Sequence, residues 1–128
     1  MFPNIDPQNG IPLFEQVCRQ VKFAIADQAY LPGELLPSVR EMAQKMAVNP
    51  NTVARSYGEL QREGIIESVR GTGMQITAEA RRICQKERVR LIQERIVSAL
   101  QEARFSQLTQ EEVTKIVERE IQRLWKSK

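Results

Sequence analysis

Cations and hydrogen-bonding side chains lie at three places between residues 38 and 73. The first place is Ser38 with Arg40, the second is the run 49–55, and the third is the glycine-flanked segment 70–73. A guanidinium group donates two parallel hydrogen bonds to phosphate or guanine, and an asparagine amide pairs with adenine. These residue types therefore indicate a surface that contacts double-stranded DNA.

Enzyme chemistry and metal binding have little support in the sequence. There is no histidine, so the commonest general base and the commonest metal ligand are both missing. Cys18 and Cys84 match no metal-ligand spacing and fall among apolar positions of predicted helices. This favours two core or half-buried thiols over a redox-sensing pair. We expect a protein that is not an enzyme and that uses no cofactor and no metal.

Local start signals place two of the three polar sites on helices. Ser38 with Glu41 three residues later forms a capping box, which opens one helix. Asn49 followed by Pro50 is a cap and first-turn pair that opens a second helix. An earlier helix is predicted after Pro12, from apolar residues at helical spacing. Its stripe consists of Phe14, Val17, Val21, Ala24 and Ile25.

A hairpin follows the second of these helices. Gly64 is placed to end the helix, and residues 65–69 and 74–77 have the composition of two short strands. The tip between them is residues 70–73, where two glycines permit positive φ and a close approach of the backbone. Helix, turn, helix and hairpin in this order are typical of a winged helix-turn-helix, whose second helix enters the major groove of DNA.

Two further helices are predicted after this domain. The first covers 78–104, and a capping box of Thr109 with Glu112 opens the second. Two helices cannot seal a core, so their apolar stripes pack either on the same chain or on a second subunit. We favour the second subunit, because a two-fold dimer can bind two half-sites on DNA at the same time. The predicted dimer contacts are Val89, Ile92, Ile96, Leu100, Val113, Val117, Ile121 and Leu124.

The fold class expected is therefore mainly α with a small β-hairpin. A winged helix-turn-helix domain covers 1–77, and a two-helix dimerisation region covers 78–128. No apolar run approaches the roughly 18 residues that span a bilayer, and the first residues lack the pattern of a secretory signal. We expect a cytoplasmic protein that does not associate with membranes.

The charge distribution complicates the DNA-binding prediction. Residues 1–76 carry seven basic and eight acidic side chains, whereas residues 77–128 carry twelve basic and eight acidic ones. Phosphate binding must therefore depend on where individual cations lie. The acidic balance supports one alternative, a protein-interaction module that keeps the winged fold but has lost DNA binding. The basic run 81–95 is interpreted as a solvated helix face and is left out of the site.

The segment from Pro32 to Met74 resembles the DNA-binding domain of the GntR family of bacterial transcription regulators. The matching features are Pro32-Gly33, Leu36-Pro37-Ser38-Val39-Arg40, Ala43, Val48, Thr52-Val53, Leu60, Gly64 and Arg70-Gly71-Thr72-Gly73. Only about fifty residues follow this domain, which is similar to the small YtrA-type subfamily. The resemblance implies a bacterial, homodimeric repressor of the kind often associated with operons for membrane transporters.

The resemblance also implies that Arg40 contacts DNA. Many family members place arginine directly after the Thr-Val pair, but this chain has Ala54 there and Arg55 one residue later. One residue turns a side chain by about 100° around a helix, so base specificity should differ and Arg55 is expected at a phosphate. The predicted DNA-binding residues are Ser38, Arg40, Asn49, Asn51, Thr52, Arg55, Tyr57, Arg70, Gly71, Thr72 and Gly73.

Some of these side chains have a second interpretation. Capping alone explains Asn49, and it is the safer role for Ser38; the ring of Tyr57 is expected in the core, with its hydroxyl on a phosphate. The predicted function is sequence-specific repression at an inverted-repeat operator. Whether a small-molecule effector exists stays open. The short C-terminal region would place its site at the dimer interface or between domains.

Overall fold

The computed structural model describes residues 5–126 as five α-helices and one two-stranded hairpin. In chain order the elements are α1 (Leu13–Ala26), α2 (Val39–Met46), α3 (Pro50–Arg62), β1 (Ile66–Val69), β2 (Gly73–Ile76), α4 (Ala80–Phe105) and α5 (Gln110–Trp125). The expected mainly α class with a small hairpin is confirmed. The chain divides into two compact units, the first extending to Val89 and the second beginning at Arg90.

The predicted helix starts are confirmed by their cap hydrogen bonds. The backbone N–H of Glu41 donates to Ser38 Oγ at 3.1 Å, and the N–H of Ser38 donates to the Glu41 carboxylate at 2.9 Å. These hydrogen bonds hold the pKa of the Glu41 carboxyl below its ordinary value. The N–H of Asn51 donates to Asn49 Oδ1 at 2.7 Å, with Pro50 in the first helical position. Each cap satisfies a donor that the helix itself leaves unpaired.

The core of the first unit lies where α1, α2, α3 and the hairpin meet. Its fully buried apolar side chains come from every element of the unit. They include Val17, Val21, Ile25, Met42, Val53, Leu60, Ile65, Ile66, Ile76 and Cys84. Phe14, predicted to belong to the α1 stripe, is only half-buried. The core therefore holds α3 by its inner face and leaves its opposite face exposed.

The hairpin is joined to the segment that precedes α2. Its own register pairs Ile66 with Ile76 and Val69 with Gly73. Residues 33–36 lie along the other edge of β2, where Ile76 N–H donates to the Glu34 carbonyl at 2.8 Å. In the same segment, Leu36 N–H donates to the Met74 carbonyl at 2.9 Å. These bonds attach the wing to the start of α2.

The first unit includes the beginning of α4, so it extends past the predicted boundary at residue 77. Ala80 and Cys84 are both fully buried in its core. Lys22, nearly buried, has its Nζ 2.8 Å from a Glu63 carboxylate oxygen and 3.5 Å from one of Glu87. Burial alone would lower the pKa of Lys22, but these two carboxylates raise it above its ordinary value. The ion pairs join α1, the end of α3 and α4.

The second unit contains the rest of α4 and all of α5. The predicted capping box of α5 is confirmed: Thr109 Oγ1 accepts from the N–H of Glu112 at 3.1 Å. None of the α5 side chains is buried. Large apolar side chains remain at least two-fifths exposed along both helices, among them Ile92, Ile96, Leu100, Val117, Ile121, Leu124 and Trp125. Within residues 5–126, no helix combines the length and apolar content that crossing a membrane requires.

Candidate nucleic-acid interface

The start of α3 presents polar groups on the exposed side of the first unit. Asn51 is exposed and Thr52 is half-exposed. The side-chain oxygen of Asn49 accepts the cap hydrogen bond, so capping alone accounts for an asparagine at this position. The first-turn N–H groups of Asn51, Thr52 and Val53 already donate to Asn49. This end of α3 therefore offers hydrogen bonds to DNA through the side chains of Asn51 and Thr52.

Three arginines from three different elements surround this surface. Arg40 lies in the first turn of α2, Arg55 in the middle of α3, and Arg70 directly before the wing tip; all three are exposed. Across residues 5–126, none of the three forms an ion pair with a carboxylate. Their guanidinium groups are therefore available for a phosphate or a base edge.

Several other arginines pair with a carboxylate on their own helix. Arg62 pairs with Glu59 at 2.7 Å, and Arg82 pairs with Glu79 at 2.9 Å. In the basic run, Arg90 pairs with Glu94 at 2.6 Å. The near-even charge balance of residues 1–76 thus conceals an uneven arrangement, because Arg62 is paired within its own helix whereas Arg40, Arg55 and Arg70 have no carboxylate partner among residues 5–126.

The wing tip and the start of α2 line one groove. This groove has a volume of about 550 Å³, and its walls include Ser38, Tyr57, Thr72 and Gly73. The structure therefore brings together predicted site residues that are up to 35 positions apart in the sequence. Ser38 Oγ accepts the cap hydrogen bond here, so its hydroxyl proton remains for an outside acceptor.

Tyr57 has a different role from the predicted one at its hydroxyl. Its side chain is buried, and the hydroxyl donates to the Pro37 carbonyl at 2.7 Å. Burial also raises the pKa of Tyr57 well above its ordinary value. The prediction of a core ring is confirmed. The hydroxyl that was predicted to donate to a phosphate instead donates to the segment before α2. Tyr57 therefore holds α3 against the start of α2.

The conformation of the wing tip explains its glycines. Gly71 has φ +74° and Gly73 has φ +134°, a region of backbone conformation that other residues rarely adopt. The N–H of Thr72 donates to the Val69 carbonyl at 2.9 Å, which closes the turn. No atom lies within 4 Å of the Cβ position at either glycine. The backbone of the tip is thus open to an approaching molecule.

Arg55 has a neighbour that the sequence analysis did not identify. Its guanidinium carbon lies 3.6 Å from the centroid of the Phe14 ring. Phe14 was assigned to the apolar stripe of α1, and nothing in the local pattern distinguishes it from the other stripe members. The contact arises only when α1 packs against α3, so pairwise information between the two helices would have been needed to find it.

The two thiols are core residues, as predicted. Burial raises the pKa of Cys18 to about 11 and that of Cys84 to about 12. Such thiols are protonated near neutral pH and react poorly, because the thiolate is the reactive form. Within the described range 5–126, acidic and cysteine side chains form no group that could hold a metal ion.

Comparisons with known proteins match this geometry. The sequence model described as bacterial regulatory proteins, gntR family, matches residues 13–76. The HTH-type transcriptional repressor YtrA of Bacillus subtilis (strain 168) is 47% identical over 77 residues, which cover 60% of this chain and 59% of that protein. The aligned region thus spans about three-fifths of this relative.

Solved structures share the fold, and two of them cover more of the chain than this relative does. A GntR family transcriptional regulator from Listeria monocytogenes has a TM-score of 0.65 at 29% identity, covering 88% of this chain and 97% of its own. YtrA from Sulfolobus acidocaldarius, a GntR-family transcription factor, has a TM-score of 0.58 at 30% identity, covering 77% and 99%. The DNA-binding domain of AraR, solved in complex with operator ORX1, has a TM-score of 0.52 at 25% identity, covering 60% and 93%.

Proposed function

Since this chain belongs to the gntR family of bacterial regulatory proteins, we propose that it is a homodimeric transcriptional repressor that binds an inverted-repeat operator. The resemblance to the YtrA type is confirmed by the relatives of that name, and the family consists of regulators rather than enzymes. The observation that carries the DNA-binding proposal is the set of three exposed arginines on α2, α3 and the wing, none of which pairs with a carboxylate among residues 5–126.

In the proposed complex, the N-terminal half of α3 enters the major groove. Asn51 is the base reader, because its amide can pair with adenine and is not needed as a cap. Thr52 and Arg55 contact the groove edge, while Arg40 contacts guanine or a phosphate. Gly71, Thr72 and Gly73 bring the wing backbone to the minor groove or its phosphates. The contacts from three elements fix the register of α3 on the duplex.

The experiment is a binding titration on duplexes selected from a random-sequence library. Arg40→Ala, Arg55→Ala and Arg70→Ala should each weaken binding and reduce the slope of log K against log salt by about 0.9 for each lost phosphate contact. Arg82→Ala is the matched control, because Arg82 is also exposed but is paired with Glu79. Unchanged binding in all three test variants would refute the assignment, and no binding of any duplex at low salt would favour the protein-interaction module.

The second subunit is proposed from the exposed apolar stripes of the second unit. Ile92, Ile96 and Leu100 repeat every four residues on α4, so they share one face of that helix. Val117, Ile121 and Leu124, spaced by four and then three residues, share one face of α5 and are 41%, 50% and 59% exposed. Continuous apolar faces of this kind are unfavourable in water and mark interaction sites. Val113 is half-buried, and Val89 is exposed at the end of the first unit.

Sedimentation of the full chain tests this assembly. Ile96→Glu and Ile121→Glu should convert a dimer into a monomer, because each places a charge within the apolar face. Glu118→Gln, on an exposed α5 position, is the control and should leave the dimer intact. The monomeric variants should also bind an inverted repeat more weakly than the wild type, since two half-sites about 34 Å apart need two linked heads. A wild-type monomer would overturn the proposal.

The cellular setting follows from the proposed function. We place the protein in the bacterial cytoplasm, bound at a promoter, with transporter genes as the expected target. Mapping of bound sites across the genome checks that target, and the neighbouring genes would indicate whether an effector exists.

A further inference from the structure

Phe14 and Arg55 form a stacked pair at the edge of the proposed DNA surface. The guanidinium carbon lies 3.6 Å from the ring centroid, close enough for direct contact between the guanidinium and the ring face. Phe14 is half-buried in the first turn of α1, and Arg55 is exposed on α3. In residues 5–126 no carboxylate pairs with Arg55, so the aromatic ring is the group that determines where its guanidinium lies.

The ring is attached to a fixed part of the molecule. Ser56, fully buried, has its Oγ 2.8 Å from the Phe14 carbonyl and 2.9 Å from the Thr52 carbonyl, so its single proton is shared between α1 and α3. One turn further along α1, Val17 is also fully buried. The Phe14 backbone is therefore held to α3 by a hydrogen bond and by the core, and its ring is a rigid support.

Stacking leaves the hydrogen-bonding edge of Arg55 available. A guanidinium stacks through its flat face, whereas its five N–H donors point outward in the plane of the group. Arg55 lies four residues after Asn51, on the same face of α3. An unsupported arginine would lose rotamer freedom on binding, and this loss weakens association. Because the Phe14 ring already restricts the Arg55 side chain in the free protein, less rotamer freedom is lost on binding.

We propose that Phe14 is a positioning residue for DNA recognition, which holds the guanidinium of Arg55 ready for a backbone phosphate. This inference rests on the proposed DNA-binding function. Phe14 itself touches no DNA; it acts through Arg55. Its consequence is specific: removing the aromatic face should weaken DNA binding only when Arg55 is present.

The test is a double-mutant cycle on a random-sequence duplex of about three helical turns, because phosphate contact needs no particular sequence. Phe14→Leu keeps an apolar side chain but removes the ring face, and should weaken binding about two- to tenfold. Phe14→Tyr keeps the ring and should bind like the wild type. In an Arg55→Ala background, Phe14→Leu should have no further effect. Arg55→Lys keeps the charge without the planar group and should fall between wild type and Arg55→Ala.

Thermal unfolding of each variant separates positioning from folding. If Phe14→Leu weakens binding equally with and without Arg55, Phe14 acts on the fold and the inference is overturned. If Phe14→Leu binds like the wild type while Arg55→Ala does not, the ring has no role. If the wild-type chain binds no duplex at low salt, it is the proposed function that fails, so the two failures are distinguishable.

Discussion

The two compact units of this chain form helices by the same local rules but bury them differently. The capping boxes that open α2 and α5 have the same hydrogen bonds at nearly the same lengths. α2 then buries Met42, Ala43 and Met46, whereas α5 buries none of its residues. Capping therefore determines where a helix begins, and says nothing about what covers its apolar face.

This difference separates two sources of stability. The first unit has a closed core, with Leu60 and Ile65 fully buried, so its folding should be independent of protein concentration. The second unit keeps its apolar side chains in water, and isolated helices of this length gain most of their stability from packing. Under the proposed dimer, its stability rises with concentration by mass action.

The largest expected effect is a core truncation in the first unit. Leu60→Ala should lower the free energy of unfolding by about 2–5 kcal/mol, because it leaves a cavity among fully buried side chains. Ile121→Ala, at a half-exposed position of α5, is the matched change in the second unit. Measured by urea at a concentration where the chain is monomeric, it should cost less than about 0.5 kcal/mol. Equal losses would remove the distinction between the units.

Alkaline pH should destabilise the first unit specifically. The buried thiols of Cys18 and Cys84 have pKa values raised to about 11 and about 12, above the ordinary 9.0, so the unfolded chain releases their protons first. The contribution of the two thiols to the free energy of unfolding is fully present below pH 9. It then falls by up to about 1.4 kcal/mol per pH unit for each thiol. Urea titrations at pH 8, 9 and 10 measure this slope.

The control for this pH effect is the double variant Cys18→Ala, Cys84→Ala. Its stability should fall much less than that of the wild type between pH 9 and 10, where buried Tyr57, whose pKa is also raised, begins to contribute, although its absolute value is lower. Lys22 should lose its contribution at a higher pH than the thiols. Because its pKa is raised in the folded state, its ion pairs stabilise the protein fully below the unfolded pKa, and this stabilisation is lost as the pH rises through the folded pKa. A wild-type slope that equals the slope of the double variant would contradict the assignment.

The cap substitutions should give intermediate and nearly equal effects at the two sites. Ser38→Ala and Thr109→Ala should each cost about 1 kcal/mol, because each leaves a helical N–H without its acceptor. In the first unit the loss should appear in global unfolding. In the second unit we expect it as faster hydrogen exchange in the first turn of α5. A global loss from Thr109→Ala in a monomeric chain would show that the two units fold together.

The smallest expected effect is a stabilisation on the proposed DNA face. Gly58 lies in the interior of α3, is exposed, and has nothing within 4 Å of its Cβ position. Gly58→Ala should raise the free energy of unfolding by roughly 0.5–1 kcal/mol, through better helix propensity. Thermal unfolding measures it. Gly71→Ala is the opposite control, because its φ of +74° strains any side chain, so a stabilisation there would be unexpected.

Gly58→Ala also tests how closely α3 approaches the groove. If the backbone at Gly58 meets the DNA, the added methyl should weaken duplex binding while stabilising the protein. Unchanged affinity would place this part of the helix away from the groove floor.

The predictable part of the fold is the part that depends on near neighbours in the sequence. Asn49 and Pro50 identify the start of α3 by themselves, because a cap uses atoms only a few residues away. Gly71 and Gly73 identify the wing tip for the same reason. The strand limits differ from prediction by one residue or so, since pairing between strands determines them.

What the sequence could not show depends on contacts between distant residues. Phe14 stacks on Arg55, 41 positions away, and Lys22 pairs with Glu63 and Glu87 across three elements. The same applies to Tyr57, whose hydroxyl binds the Pro37 carbonyl. Each side chain has ordinary local spacing, and its partner follows only from how α1, α3, α4 and the segment before α2 pack.

The hydrogen bonds between residues 33–36 and β2 have a consequence for target choice. Because this short ladder ties the wing to the entrance of α2, the separation of Arg70 from Arg40 is set before any nucleic acid arrives. If both arginines contact phosphates, as in the proposed complex, their spacing favours duplexes of matching groove width. We therefore expect stiff or unusually narrow tracts to be discriminated in addition to any contacts with bases.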